Sequence, residues 1–198
     1  MHVWMHKARA LFETALRVSR VALVCIWMAG WHVEGSDGST VAGEYQVKAV
    51  CLYNFTQFTE WPASAFARSN APIVIGIVGE DPFGTTMDDV VRGEVVRGHP
   101  LVVRRLRADD DFQGCNVLFF SHSEKKRYPE LLSRVKGKSV LTVGEIDGFA
   151  EHGGMMNLIV ANKTVQIEVN QAMAQQCGLQ ISSKLLKLAH LVLNNTHN

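Results

Sequence analysis

A chain of 198 residues, 47% of them hydrophobic, holds one globular domain and an extension, and is too short for several full-sized domains. Its 20 basic and 19 acidic residues leave a formal charge of +1. No basic tail or stripe stands out, so nucleic acid is excluded as a partner.

In chain order, residues 1–20 carry Lys7, Arg9, Arg17 and Arg20 against a single Glu13, and Val21 to Trp31 is an unbroken apolar or small run of 11 residues. Spanning a bilayer takes roughly 20 helical residues, so this run has the length of a signal-peptide core instead. Glu34 to Gly43 is polar and glycine-rich. Residues 1–43 therefore read as a signal peptide and polar tether, cleaved near Ala29 or after Gly43, with an uncleaved anchor as the alternative. Cys25 follows Val24, where a lipid-attachment cysteine needs a small residue, so no lipoprotein is read. Removing residues 1–43 leaves 16 basic and 16 acidic side chains, and three cysteines: Cys51, Cys115 and Cys177. An odd number allows one disulfide at most, and their scatter makes no zinc site.

The domain, 44–198, opens with a helix predicted from Glu44 to Trp61, stopped by Pro62. Ile73–Val78 is a β-branched run of the buried parallel-strand kind, followed by the turn Gly79–Gly84 and a short helix to Arg92. His99–Leu106 and Asn116–Phe120 are predicted strands, and Glu124–Val135 a charged helix. Ser139–Val143 is another strand, leading into the glycine-rich loop Gly144–Gly154. Met156–Val160 and Thr164–Val169 flank Ala161-Asn-Lys163 as a hairpin. Two helices close the chain. Asn170 caps the first, Gly178 stops it, and Ser182 caps the second. Leu185, Leu186, Leu188, Ala189, Val192 and Leu193 recur at helical spacing, which predicts a last helix docked on the core. Strands alternating with helical segments imply βαβ crossovers. The fold class is α/β, a single domain with a mostly parallel sheet, an antiparallel C-terminal hairpin and helices on both faces.

No pattern of catalytic groups stands out. Gly79–Gly84 lacks the lysine and serine or threonine of a P-loop, and Glu80 and Asp81 would repel a phosphate; a structural turn is the better reading. Ser121-His122-Ser123 follows a strand without a nucleophile-elbow motif. His152 beside Glu151 lacks the spacing of a metal pair on a helix, and the other histidines are scattered. We expect no catalytic residues, no metal and no cofactor. Phe149, a large apolar residue in a polar loop, is either an exposed anchor for a partner protein or a plug in the core beneath its loop.

Four segments together resemble the YfiR family: Glu44 to Ala49 with Leu52 to Phe55 and Glu60 to Pro62; Val78 to Gly84; Gly114 to Phe119; and Leu141 to Val143 with Gly148, Phe149 and Gly153 to Met155. Gly178, Leu179 and Ile181 to Leu186 complete the match, which spans 44–193. Any one piece is weak, but their order and spacing are specific. The resemblance implies a dimeric α/β domain of periplasmic-binding-protein-like character. It also implies a periplasmic protein that docks on the sensor domain of an inner-membrane diguanylate cyclase and holds it inactive, with an outer-membrane lipoprotein relieving the inhibition. Phe149, Ile167 and Glu168 would belong to its partner-binding surface. Family members often carry a cysteine where this chain has Gly76, able to pair with the match to Cys115. Here the partner left for a Cys115 disulfide is Cys51 or Cys177. The alternative function is a small-ligand-binding accessory module of another membrane receptor, with its crevice at the C-terminal ends of the strands.

Overall fold

The computed structural model describes residues 37–192, so residues 1–36 of the expected export segment and tether, and Leu193, lie outside the described residues, while 37–43 of the tether form the start of a helix. A compact unit begins at Thr40. Among the described residues, no helix is long and apolar enough to cross a membrane.

In chain order the elements are α1 (Asp37–Phe58), β1 (Thr59–Glu60), β2 (Ile73–Val78), α2 (Thr86–Val91), β3 (Val95–Val96), β4 (His99–Leu106), β5 (Val117–Phe120), α3 (Tyr128–Ser133), β6 (Leu141–Gly144), β7 (Met156–Ala161), β8 (Thr164–Val169), α4 (Gln171–Gln176), β9 (Gln180–Ile181), α5 (Ser183–Leu186) and β10 (His190–Leu191). Eight strands form one sheet in the order β10-β8-β7-β6-β5-β2-β4-β3, and β1 with β9 forms a separate antiparallel pair. Strands β4, β2, β5, β6 and β7 run parallel, β8 returns antiparallel to β7, and β10 lies parallel to β8 at the sheet's end.

Alternation along the strands divides the core in two. Ile73, Ile75, Ile77, Val117 and Phe119 face a cluster completed by Leu52 and Phe55 of α1, Met87 of α2, Ala174 of α4 and Leu185 of α5. Val78, Leu118 and Phe120 face the other cluster, with Tyr128, Leu131 and Leu132 of α3 and Phe149. A strand covered on both faces reads as a near-continuous apolar run, which is why β2 was legible. The α/β class, the mostly parallel sheet, the antiparallel hairpin and the helices on both faces are all present.

Three expectations need correction. The first helix runs from Asp37 and ends at Phe58, before Trp61, because Thr59 and Glu60 leave it to pair with Ile181 and Gln180. The charged helix is shorter than Glu124–Val135. A 3-10 turn spans His122–Glu124, and α3 starts only at Tyr128, with Pro129 in its first turn, where a missing N–H costs no bond. The last helix stops at Leu186; two residues of edge strand follow, and Leu188 and Leu191 are exposed rather than docked.

The disulfide expectation is corrected as well. Cys115 and Cys177 are thiols. Cys115 packs in the cluster on one face of the sheet, whereas Cys51 and Cys177 belong to the other face. A bridge needs Cα atoms within about 7 Å, so the sheet separates Cys115 from both. A side chain at Gly76 would place its Cβ 3.1 Å from the Cys115 sulfur, which makes position 76 the true neighbour.

Candidate docking surface

The chain returns to its sheet between β2 and β5. β2 leads out to β4 on one side, and β5 begins on the other, a switch point of the kind that opens a crevice at the strands' C-terminal ends. Here the loops around that crevice are tied to one another. Ser123 Oγ accepts the Glu80 N–H at 3.0 Å and lies 2.7 Å from Ser121 Oγ. Glu145, just past β6, accepts the His122 N–H at 3.0 Å and the Lys48 ammonium at 2.7 Å. The Lys48 and Glu145 side chains are only 5% and 3% exposed, and Glu44 adds a second carboxylate 2.6 Å from the ammonium. Tyr45 leans on the same site, and burial together with the Glu145 charge pushes its phenol above its ordinary range. Ser121 and His122 are not arranged as nucleophile and base: Ser121 is buried against Ser123, and the His122 ring is exposed. Asp81 accepts the Phe83 N–H at 2.8 Å, a structural turn as expected.

Beyond β6 the glycine-rich loop is built around Phe149. Its ring is fully buried, 5.7 Å from Phe120 and 5.3 Å from Tyr128 between ring centres. Of the two readings open for Phe149, the structure has the plug; the ring is not an exposed anchor, because the aromatic residues of β5 and α3 enclose it. The loop is tied down by asparagines. Asn157 accepts the Ile146 N–H at 3.1 Å and donates to the Ile146 carbonyl at 2.8 Å, and Asn170 donates to the Ala150 carbonyl at 2.8 Å.

Asn157 also donates to Glu168 at 2.9 Å. Glu168 is thus held on the side of the sheet that faces the loop. Ile167, its neighbour on β8, turns the other way, pairs across the hairpin with Leu158, and is half-buried against the opposite cluster. The structure therefore brings Glu168 to the Phe149 loop and places Ile167 on the far face. These three residues do not make one continuous patch.

A different set shares one face. Val160 and Val165 oppose each other near the hairpin tip, with Val160 about half exposed. β10 lies along β8, and Leu188 and Leu191 are 76% and 60% exposed. Leu191 pairs with Val169, whose face of β8 also carries half-buried Ile167 and Val165, so exposed and half-buried apolar side chains share one face at this end of the sheet, with Leu188 just before β10. Sequence reasoning missed it because Leu188 continues the helical spacing of Leu185. Only the β-compatible His190-Leu191-Val192 hints at a strand.

A cavity of about 370 Å³ opens at the opposite, N-terminal ends of β5 and β6, with Phe112, Cys115, Val135 and Val140 as its apolar walls and Lys138 at its side. Burial raises the Cys115 thiol pKa, and the Arg104 guanidinium, 3.6 Å away, works against that rise.

None of the curated proteins matches the chain. Among solved structures, it is similar to the ABC domain in complex with L-Trp from Streptococcus pneumonia, at 11% identity and a TM-score of 0.47, over 61% of this chain and 55% of that one. The chain thus spans about half the length of that structure. The model of one protein family matches from residue 45 to residue 190, from the third turn of α1 to the start of β10. With both helical layers and the whole parallel sheet inside that span, the chain belongs to the YfiR/HmsC-like family.

Proposed function

We propose that the protein is a periplasmic negative regulator that docks on the periplasmic domain of an inner-membrane diguanylate cyclase and represses cyclic di-GMP synthesis. The observation that carries this reading is the family match over residues 45–190, since the family is one of periplasmic regulators of diguanylate cyclase signalling. The exposed leucines Leu188 and Leu191 at the end of the sheet support a reading of protein contact. Repression works by population shift: tighter binding to the inactive conformation of the cyclase biases its cytoplasmic output. A homodimer and release by an outer-membrane lipoprotein belong to the same proposal.

The test is deletion of the gene in its host with measurement of intracellular cyclic di-GMP. The level should rise, return with the wild-type gene, and stay high with Ile167→Asp, while circular dichroism shows that variant folded. An unchanged level on deletion overturns the reading. One observation favours a second reading, a small-ligand-binding accessory module: the cavity beside Cys115. A metabolite at a hundred times its dissociation constant would then add about 2.7 kcal/mol, seen as a rise in melting temperature.

A further inference from the structure

The end of the sheet carries three features at once. β10 pairs only with β8, so among the described residues its outer edge has no partner strand. Beside that edge, exposed Leu191 lies in register with Val169 on the face that carries half-buried Ile167 and, farther toward the hairpin tip, Val165 and Val160, and exposed Leu188 immediately precedes the strand. Lys163 at the hairpin tip, and Lys184 and Lys187 on and after α5, are exposed and make no ion pair with any described residue. Open strand edges are normally shielded, and lysines are one common shield. Here Lys187 immediately precedes exposed Leu188, and exposed Leu191 follows on the edge itself, apolar groups that a purely protective edge would not need.

We infer that this edge takes up an extended segment of its protein partner, a strand whose apolar side chains alternate with carboxylates. Main-chain hydrogen bonds to β10 would supply affinity, the leucines would take the apolar side chains, and the lysines would meet the carboxylates. A second copy of this chain fits the edge poorly, because it would set lysine against lysine. A bilayer is also a poor occupant, because hydrocarbon offers the strand edge no hydrogen-bond partner. The inference rests on the repressor reading and names the chemistry of the cyclase segment that docks.

The full chain is mixed with three probes: a peptide of alternating valine and glutamate, its valine–lysine counterpart, and phosphatidylglycerol vesicles. Hydrogen exchange is followed at the amide of Leu191, which faces the open edge, since the Val192 N–H already donates to the Val169 carbonyl at 2.9 Å. The glutamate peptide should slow exchange by roughly tenfold or more, lose that effect at high salt, and lose it in the Lys163→Glu/Lys184→Glu/Lys187→Glu variant. No slowing, equal slowing by the lysine peptide, or slowing by vesicles alone overturns the inference. The two ideas fail separately. If deletion raises cyclic di-GMP but the triple variant represses fully, the repressor reading stands and the edge does not dock the cyclase. If deletion changes nothing, the repressor reading falls and the exchange result still decides what the edge accepts.

Discussion

Phe149 lies under a surface loop only because two neighbours have no side chain. A Cβ on Gly144 would sit 2.5 Å from the ring, and one on Gly154 would sit 2.2 Å from it. Contacts that short do not exist in folded proteins, so each glycine is the mould for the ring. Two physical consequences follow. Phe149→Ala should destabilise the protein by about 3–5 kcal/mol, because it removes a fully buried ring and leaves a cavity between Phe120 and Tyr128. Gly154→Ala should destabilise it too, through overpacking, by about 1–3 kcal/mol. Denaturant unfolding of both variants checks this, and a Phe149→Ala midpoint equal to wild type would show that the ring is not a core element. A loss of repression in Phe149→Ala would therefore report folding. Leu191→Asp, at a side chain 60% exposed, separates docking from stability better than half-buried Ile167→Asp.

Elements are fastened to one another by polar groups that the sequence does not advertise. Lys48 of α1 reaches over the end of the sheet to Glu145, and Glu145 also holds the first amide after Ser121, so one carboxylate joins a helix to the ends of β5 and β6. Removing Lys48 leaves the buried Glu145 carboxylate, still accepting the His122 N–H, without that counter-charge, whereas removing Glu145 leaves Lys48 still paired with Glu44. Lys48→Met should cost about 3–5 kcal/mol, and Lys48→Met/Glu145→Leu should cost clearly less than Lys48→Met and Glu145→Leu added together. Thermal unfolding of the two single variants and the double variant gives the coupling; strict additivity would mean that the pair is not a unit. The strands were legible where each carries its own apolar run bounded by polar or glycine residues. β2, β4 and β8 fall where the residues place them, at Ile73–Val78, His99–Leu106 and Thr164–Val169. What was illegible depends on partners distant in the chain. Phe58 ends α1 because Thr59 finds Ile181, and Leu188 leaves the helical face because His190 finds Glu168. The candidate site shows the same divide. The family resemblance pointed to β8, but only the fold shows that Ile167 and Glu168 face opposite ways, and that Leu191 shares the face of Ile167.

At the scale of the molecule, the chain's three tyrosines sample both halves of the core at once. Tyr45 and Tyr53 belong to the side covered by α1, and Tyr128 packs on Phe149 on the other. Burial is the first cause of a raised pKa in all three. The Glu145 charge adds to the rise at Tyr45. A hydrogen bond to Glu94 adds to it at Tyr53, which is pushed up to about 12. A phenol raised in the folded state favours its neutral form there. The stability it contributes is fully present below the ordinary tyrosine pKa near 10, and is lost as pH rises through the folded value. For Tyr53 that window runs from about 10 to about 12. Tyrosinate absorbance should therefore lag behind that of the guanidinium-unfolded chain as pH climbs past about 10, then rise cooperatively with loss of tertiary circular dichroism. Lysines titrate in the same range, but the absorbance isolates the phenols. Early ionisation of one phenol, with circular dichroism unchanged, would show that one face opens before the other. Release of all three in a single step would show that the sheet and both helical layers unfold as one unit, so that a partner docked at the β10 edge binds a body whose two faces stand or fall together.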